Sequence, residues 1–283
     1  MIEEPYAQGG RLQLQVTLLN DEKSSFMCVA LIRKAFTPVT KCPVLLVEIE
    51  DVLVRAGLPN PLVVKIYDPR FNCERTSPLP RLSPIPWSAA NEKAAADRRT
   101  LAPGDDSDDR FFPWEREFFD GSSWEDAYYR EYERSFAREV EAYRCLGQLQ
   151  GSTIPRLYGL GRVVSGHGEG RAISPQVLFM EYIPGENLAT IQDPHSVPSS
   201  AYEELVKAVS SLASFGIIHA DMRPENIVVS CSHPRRAVLI DFGVCQFRYT
   251  DESDDNWEEN VRIEGEEREL RRYLKSSGIW HQE

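Results

Sequence analysis

The sequence predicts an α+β fold in two lobes, and three observations support this prediction. Four strand-like runs occupy residues 11–67, a helical pattern follows at 123–149, and after two more strand-like runs the chain becomes mainly helical. Strands and helices that are segregated along a chain, rather than strictly alternating, are typical of α+β architecture. The 283 residues are enough for one large domain or for two lobes with a sizeable core.

The first strands are predicted from apolar runs of strand length. They read LQLQVTLL, FMCVALI, VLLVEIE and PLVVKIY. Such runs, rich in Val and Ile, favour strands over helices. The polar stretch NDEKSS at 20–25 predicts a turn between the first two strands.

Residues 68–122 have a different composition, rich in Pro, Ser and Arg and acidic at 104–109. Recurring prolines exclude a regular helix in PLPRLSPIPW. We interpret the segment as a partly disordered insertion, with aromatic residues that dock back onto the fold. These aromatic residues include Trp87, Phe111, Phe112 and Trp114. A flexible linker over 88–110 is the alternative interpretation.

Helical spacing predicts a helix at 123–149, with Ser123 as its cap, and a second helix at 199–216 that ends at Gly216. The strand-like runs IPRLYGLGRVV and PQVLFMEYI separate these helices. Two short strands, NIVVS and AVLIDFG, come after the second helix. The end of the sequence predicts an acidic loop at 251–260 and one helix at 264–278.

The charge of the chain restricts its partners. There are 44 acidic residues against 32 Lys and Arg, a net charge of −12. Such a chain is repelled by nucleic acid and by anionic membranes, so we expect neither as a partner. No apolar run approaches the ~20 residues that span a bilayer, and MIEEPYAQGG lacks the features of a signal peptide. We therefore expect an intracellular protein, cytoplasmic or nuclear, and its six scattered cysteines favour free thiols over a zinc site.

The stretch GIIHADMRPENIVVS places several polar side chains between two apolar runs. Asp221 can accept a hydroxyl proton, and Arg223 can reach a transferring phosphate. Asn226 and Asp241, the latter at the end of an apolar strand, offer the oxygen ligands that Mg²⁺ prefers. Phosphoryl transfer requires this combination of cations, metal ligands and an acceptor group near the incoming hydroxyl.

These residues resemble the catalytic loop and metal-binding segment of the protein-kinase-like superfamily. HADMRPEN matches H-x-D-x-x-x-x-N, and LIDFG contains the D-F-G of the family. We expect His219 to hold the loop by hydrogen bonds rather than to act as a base. VVKIY resembles the strand whose lysine, here Lys65, meets the α- and β-phosphates. FAREVEAYRCL resembles the helix whose glutamate pairs with that lysine, and the spacing selects Glu139, with Glu141 as the alternative.

The resemblance extends to VLFMEYIPGENL, which is similar to the hinge strand of kinases. There, the backbone of Glu181, Tyr182 and Ile183 would hydrogen-bond the adenine of ATP. The matching segments cover roughly 60–67 and 130–245.

The resemblance implies a bilobal protein-kinase-like fold. Its β-rich N-lobe would cover 1–183, with the insertion at about 68–122 and the hinge at about 181–183. A shortened, mainly helical C-lobe over 184–283 would hold the catalytic loop, the D-F-G segment and a C-terminal helix. The insertion could serve as a lid, a substrate platform or a protein interface.

The sequence departs from the family pattern in several places. The glycine-rich loop over the phosphates is missing, and the predicted turn offers only Lys23, Ser24 and Ser25. Ala220 replaces the arginine that answers a phosphorylated activation segment in many protein kinases. No A-P-E follows the D-F-G, and the lobe that supports peptide substrates is short. Aminoglycoside and choline phosphotransferases share the loop pattern, although RPENIVV is more similar to protein kinases.

The sequence therefore predicts an ATP- and Mg²⁺-dependent phosphotransferase that transfers the γ-phosphoryl group to a hydroxyl of a protein or a small molecule. The resemblance implies that Lys65, oriented by Glu139, positions the phosphates, and that the other residues have the roles given above. The alternative is a catalytically inactive pseudokinase that acts as a binding scaffold. The missing glycines and the short lobe favour this alternative, whereas retention of both metal ligands opposes it.

Overall fold

A computed structural model describes residues 5–50, 57–76, 84–101, 120–165, 170–193 and 197–279. The chain divides into two compact units: the first comprises Met1–Arg134 and Tyr158–Met180, the second Ser135–Leu157 and Glu181–Glu283. Both contain helices and strands, so the predicted α+β class is confirmed. The lobe boundary near 181–183 stays a prediction. No helix within the described ranges is long and apolar enough to cross a membrane.

The first unit is built on a closed barrel of six strands. The strands are β1 Arg11–Leu18, β2 Asp21–Phe36, β3 Val44–Ile49, β4 Leu62–Tyr67, β5 Leu157–Ser165 and β6 Gln176–Met180. Their order around the barrel is β1-β2-β3-β4-β6-β5. Each strand predicted from an apolar run in this part of the chain is present.

Alternation along the strands decides which side chains fill the barrel. In β1, Leu12, Leu14 and Val16 are fully buried and their neighbours are exposed or half-buried. Successive side chains of a strand point to opposite faces, so one face of β1 forms part of the core. Leu14 lies opposite Cys28 of β2, which belongs to the same core cluster.

The predicted turn between the first two strands is present, but it is shorter than 20–25 and ends at Asn20. The chain turns at Leu19 and Asn20, and β2 already begins at Asp21, which pairs with Leu18. Cross-strand pairing with β1 overrides the local polarity of this stretch. The side chains of Lys23 and Ser24 lie outside the described residues, and the Ser25 hydroxyl accepts a hydrogen bond from Gln15 at 3.0 Å.

The insertion contains regular structure. Helix α1 spans Ala89–Leu101, so the flexible-linker alternative is wrong for this range. Trp87 docks as expected, because the centre of its ring lies 5.4 Å from the guanidinium of Arg171, which is outside the insertion. Phe111, Phe112, Trp114 and the acidic run at 104–109 lie outside the described residues.

A buried network of charged groups fixes this helix to the rest of the first unit. The fully buried Asp68 accepts hydrogen bonds from Tyr6 at 2.8 Å, Arg70 at 2.6 Å and Arg171 at 3.3 Å. Arg171 also donates to Glu92 of α1 at 2.9 Å. Burial opposes the ionisation of Asp68, but the hydrogen bond from Arg70 and the charges of both arginines hold its pKa at about 2.

The second unit begins within helix α2, which spans Gly121–Cys145. Its other elements are β7 Gly185–Asn187, α3 Ser199–Leu212, β8 Ile217–Ile218, β9 Ile227–Ser230, β10 Ala237–Leu239, β11 Gln246–Phe247, α4 Asp254–Glu264 and α5 Glu266–Ser276. The strands form a sheet of order β10-β9-β7 and a β11-β8 pair. Helix α3 buries a stripe of Leu205, Val209 and Leu212 and packs against β10 and α5.

Two helix starts differ from the prediction. Helix α2 is capped by Asp120, whose carboxylate accepts from the Ser123 backbone N–H at 2.7 Å, so Ser123 is not the cap. The predicted acidic loop at 251–260 is wrong from Asp254 onwards, where α4 begins. Ser253 caps α4, and its buried Trp257 donates to the Ala213 carbonyl at 3.1 Å.

Candidate functional site

The second unit contains most of the predicted site residues. They are Glu139, Glu181, Tyr182, Ile183, Asp221, Arg223, Asn226 and Asp241. Lys65 belongs to the first unit, on β4, where it is 6% exposed and its Nζ lies 5.5 Å from the centre of the Tyr67 ring.

Asn226 holds the loop that follows β8. Its side-chain Nδ2 donates to the Asp221 backbone carbonyl at 2.9 Å and to Asp221 Oδ2 at 2.8 Å. Asn226 is buried at the end of a short 3₁₀ turn, Pro224–Asn226, directly before β9. The two hydrogen bonds engage the amide nitrogen and leave the amide oxygen uncommitted.

Asp221 and Arg223 are accessible charged residues of this loop, as is the exposed Glu225. Arg223 Nε lies 3.3 Å from Asp221 Oδ2, and the two side chains are 48% and 32% exposed. An ion pair this open to solvent contributes little to stability. The Arg223 side chain can therefore reorient towards a substrate at small cost.

His219 is fully buried, and its ring makes two hydrogen bonds. Nδ1 accepts from the Asp221 backbone N–H at 3.3 Å, and Nε2 lies 3.0 Å from the Ile240 carbonyl, to which it donates. Only a neutral imidazole with its proton on Nε2 satisfies both contacts. Burial lowers the pKa of His219, which favours the same state. The ring therefore holds the loop, as expected from the sequence.

The D-F-G segment is fixed to the loop through its backbone and its phenylalanine. The Ile240 N–H donates to the Asn226 carbonyl at 2.9 Å, which brings the residue before Asp241 next to Asn226. The buried Phe242 ring lies 4.8 Å from that of His219 and 5.7 Å from that of Tyr143. Asp241 has a φ of 69°, an unusual conformation for a residue with a Cβ atom.

Gly243 allows helix α2 to approach this segment closely. Ser135 donates to the Gly243 carbonyl at 2.8 Å. A Cβ atom on Gly243 would lie 2.7 Å from Ser135 Oγ, 3.4 Å from Glu139 Oε2 and 3.5 Å from Asp241 Oδ1. The carboxylates of Glu139 and Asp241 therefore flank the same glycine. Glu141, the alternative to Glu139, is exposed and lies 3.6 Å from Arg144.

Glu266, in the first turn of α5, is a site residue that the sequence interpretation missed. Its carboxylate accepts hydrogen bonds from the backbone N–H groups of His219 at 3.1 Å and Ala220 at 2.7 Å. Burial raises the pKa of Glu266, although these two hydrogen bonds act in the opposite direction. Three glutamates occupy the first turn of α5, and the local sequence does not distinguish this one from the other two.

At the predicted hinge, Glu181 is already committed to protein contacts. Its backbone N–H donates to the Arg156 carbonyl at 2.9 Å, and its carboxylate accepts from the Arg156 N–H at 3.0 Å. The same carboxylate forms an ion pair with Arg236. The Glu181 carbonyl oxygen is the group left to meet an adenine, together with the backbone of Tyr182 and Ile183.

Comparisons with known proteins give similarities to kinases. Residues 171–261 match the family model described as the ABC1 atypical kinase-like domain. The chain is 32% identical over 74 residues to serine/threonine-protein kinase pkn2 of Myxococcus xanthus, covering 24% of this chain and 9% of that protein. It is 27% identical over 110 residues to the probable serine/threonine-protein kinase fnkB of Dictyostelium discoideum, covering 37% and 20% respectively. The chain thus spans a small part of the length of these relatives.

Among solved structures, the chain is similar to a Rio2 kinase–ADP/Mg²⁺–phosphoaspartate complex from Chaetomium thermophilum. The TM-score is 0.43 at 13% sequence identity, over 89% of this chain and 58% of that one. The family model and the curated relatives agree with the H-x-D-x-x-x-x-N and D-F-G residues and support the resemblance of this chain to the protein-kinase-like superfamily.

Proposed function

We propose that the protein is an ATP- and Mg²⁺-dependent phosphotransferase that transfers a γ-phosphoryl group to a hydroxyl. The observation that carries this proposal is the geometry at Asn226. Its side chain binds Asp221 twice, and its carbonyl accepts from the residue before Asp241. One buried residue thus links a candidate acceptor of the hydroxyl proton to the D-F-G carboxylate.

The donor atoms at this position fit magnesium. Mg²⁺ prefers oxygen ligands and is commonly held by one or two protein groups, with phosphate oxygens and water completing its coordination. The amide oxygen of Asn226 and the carboxylate of Asp241 are ligands of this kind. A bound Mg²⁺ would neutralise phosphate charge during transfer. Within the described ranges, no cluster of three or more His, Cys, Asp or Glu side chains could hold a metal alone.

Asp221 would orient the acceptor hydroxyl and receive its proton. Asn226 binds its Oδ2 at 2.8 Å, which holds the carboxylate in one orientation and leaves Oδ1 towards a substrate. Arg223 lies next to this carboxylate and would steady the transferred phosphoryl group. Its planar guanidinium is not equivalent to the lysine usual at this position in protein kinases.

The nucleotide would be bound by the residues that the resemblance assigns. Lys65 would meet the α- and β-phosphates, and Glu139 would keep its role as the partner of that lysine. The carbonyl of Glu181 and the backbone of Tyr182 and Ile183 would hydrogen-bond adenine. The acceptor is either a protein side chain or a small alcohol, and transfer to a peptide library or to a panel of alcohols distinguishes the two.

A catalytically inactive pseudokinase is the second candidate function, and one specific observation favours it. The stretch between β1 and β2 that would replace the glycine-rich loop is a two-residue turn followed by strand. This hairpin contains no glycine at 20–25, so close approach of its backbone to a triphosphate is harder than in a glycine-rich loop. The insertion at 68–122 would then be the surface through which such a scaffold binds a partner protein.

Turnover of radiolabelled ATP distinguishes the two candidates. The wild-type protein is incubated with Mg²⁺ and either a Ser/Thr/Tyr peptide library or a panel of small alcohols. Asp241→Asn serves as the inactive variant, and Asp255→Asn, a change of an exposed acid on α4, as its control. We expect wild type and Asp255→Asn to transfer phosphate to one acceptor class and Asp241→Asn to lose transfer. Equal turnover by all three proteins would rule out the assigned metal ligand.

If no acceptor is phosphorylated, nucleotide binding decides between the candidates. Saturable binding of ATP–Mg²⁺ that Asp241→Asn abolishes would keep the phosphotransferase proposal and indicate that the acceptor is not in the panel. Absence of nucleotide binding by wild-type protein would favour the pseudokinase.

A further inference from the structure

A groove in the second unit has a basic rim and is separate from the catalytic loop side chains. It lies between α3, β8, α4 and α5 and encloses about 1050 Å³. Apolar side chains from α3 and β8 form its floor, among them Val209, Leu212 and Ile217. Of the candidate site residues, Glu266 lines this groove and none of the others does.

The basic rim comes mainly from one face of helix α5. Arg268, Arg271, Arg272 and Lys275 follow the i, i+3, i+4, i+7 spacing that places residues on one side of a helix. All four line the groove, and Arg262 of α4 adds a fifth cation. We call the four residues of α5 the basic stripe. The buried residues of α5, Leu270 and Leu274, point to the opposite side.

Three acids line the groove, Glu264, Glu266 and Glu267, and they offset only part of the stripe. Arg262 is itself paired with Glu259 at 2.6 Å. Glu266 is engaged by the backbone N–H groups described above, and Glu267 is paired with Arg271 at 2.6 Å. Arg272 lies 3.9 Å from Glu269, at the limit of an ion pair. Arg268 and Lys275 are exposed and form no ion pair within the part of the chain that the structure describes. Four cations of the stripe against three lining acids leave a small positive excess, and Arg268 and Lys275 are the cations available to a ligand.

We propose that this groove is a docking site for a short acidic peptide of a partner protein. Carboxylates of the peptide would pair with the basic stripe, and an apolar side chain would enter towards the floor. The stripe is about 10 Å long, which matches three to four extended residues. Charge complementarity is the argument for the acidic partner.

The net charge of the chain favours a short peptide over a long polyanion. At a net charge of −12, the protein as a whole repels a long polyanion such as nucleic acid or an anionic membrane. At physiological ionic strength, charges beyond about 8 Å are largely screened. A peptide no longer than the groove therefore experiences mainly the local positive field.

Fluorescence anisotropy of a labelled Glu-Glu-Leu-Glu-Glu-Leu peptide tests the proposal with the full chain. We expect saturable binding that weakens as salt increases, and roughly tenfold weaker binding to the double variant Arg268→Glu/Lys275→Glu. The neutral variant Arg268→Gln/Lys275→Gln should lie between the two. Arg144→Glu, an equivalent reversal of an exposed cation on α2 outside the groove, should bind like wild type. Circular dichroism establishes that each variant is folded.

Several results would overturn the proposal. These are absence of saturable binding, equal affinity of wild type and the double reversal, and equal loss in Arg144→Glu. Tighter binding of a DNA duplex or of phosphatidylserine vesicles than of the peptide would show a non-specific anion surface instead. Sedimentation that shows dimers sensitive to the double reversal would assign the groove to a second copy of this chain. None of these readouts depends on phosphotransferase activity.

Discussion

The carboxylate of Glu266 binds the backbone N–H groups of both His219 and Ala220, at 3.1 and 2.7 Å. These two residues directly precede Asp221, so helix α5 fixes the backbone from which the candidate catalytic carboxylate projects. Ala220 has a φ of 61°, a conformation that costs a residue other than glycine roughly 1–2 kcal/mol. The hydrogen bonds to Glu266 help to offset that cost.

Glu266→Gln should destabilise the protein and slow phosphoryl transfer. The glutamine amide has one oxygen for two backbone donors, and its NH₂ group would face the other N–H. We expect the free energy of unfolding to fall by about 1–3 kcal/mol in urea titrations, and kcat to fall with it. Glu269→Gln, an exposed position of the same helix, should change neither quantity. Wild-type behaviour of Glu266→Gln would mean that α5 does not hold the loop.

Asp241→Asn should remove the stabilisation that ATP–Mg²⁺ gives to the folded state. A ligand at ~100 times its dissociation constant adds about 2.7 kcal/mol to the free energy of unfolding. We expect a raised midpoint in thermal unfolding of wild type, which EDTA reverses, and no such shift in Asp241→Asn. A shift of equal size in this variant would show that another group binds the metal.

Lys65→Met should abolish transfer while leaving the barrel folded. Methionine keeps most of the apolar volume of a side chain that is only 6% exposed, but it lacks the ammonium group. Lys34→Met, on the exposed side of β2, is the matched control. The measurements are initial rates of transfer and thermal unfolding. Undiminished transfer by Lys65→Met would refute the role given to this lysine.

Gly243→Ala should destabilise the protein, and removal of the Ser135 hydroxyl should restore part of the lost stability. The new methyl group would lie 2.7 Å from Ser135 Oγ, which is too close unless the Ser135 side chain rotates away from the Gly243 carbonyl or α2 moves. We expect a loss of about 1–3 kcal/mol. In the double variant Gly243→Ala/Ser135→Ala the closest contact is gone, so a double-mutant cycle should give a favourable coupling energy. Strictly additive losses would contradict the close approach of α2 to Gly243.

Because of Asp68, the free energy of unfolding of the first unit should fall as the pH is lowered. Its pKa is about 2 in the folded chain and 3.8 in its ordinary state. A lowered folded pKa contributes stability that is fully present above pH 3.8 and is lost as the pH falls towards 2. The contribution is about 2 kcal/mol. Chemical denaturation between pH 5 and 2 should show this loss in wild type and a flatter profile in Asp68→Asn.

Periodicity was sufficient to predict the barrel strands and helix α3, because both bury one face with a regular spacing. The chemistry of the catalytic loop was also recognisable, because Asp221, Asn226 and Asp241 are close in sequence. The acidic stretch at 251–260 was misread, because its charges suggested a loop, although Ser253 followed by two aspartates is a typical helix start.

Contacts between residues distant in sequence could not be predicted. Glu266 and His219 are far apart along the chain, and only the packing of α5 brings them together. Arg171 and Asp68 are likewise far apart in sequence, but they are hydrogen-bonded to each other inside the first unit. Arg and Asp usually lie at the protein surface, so the sequence alone does not indicate this buried pair. The turn at Leu19 was predicted too long because strand pairing, not local polarity, sets where it ends.

The closed ring of six strands has a consequence for how this protein meets others. Each strand of the ring has neighbours on both sides, but β2 is longer than β3, and its part from Asp21 to Cys28 is paired only with β1. Along the rest of the described strands the main-chain N–H and C=O groups mostly have partners on both sides. A partner chain therefore has little sheet border to extend outside this part of β2, and recruitment elsewhere on the ring must rely on side chains.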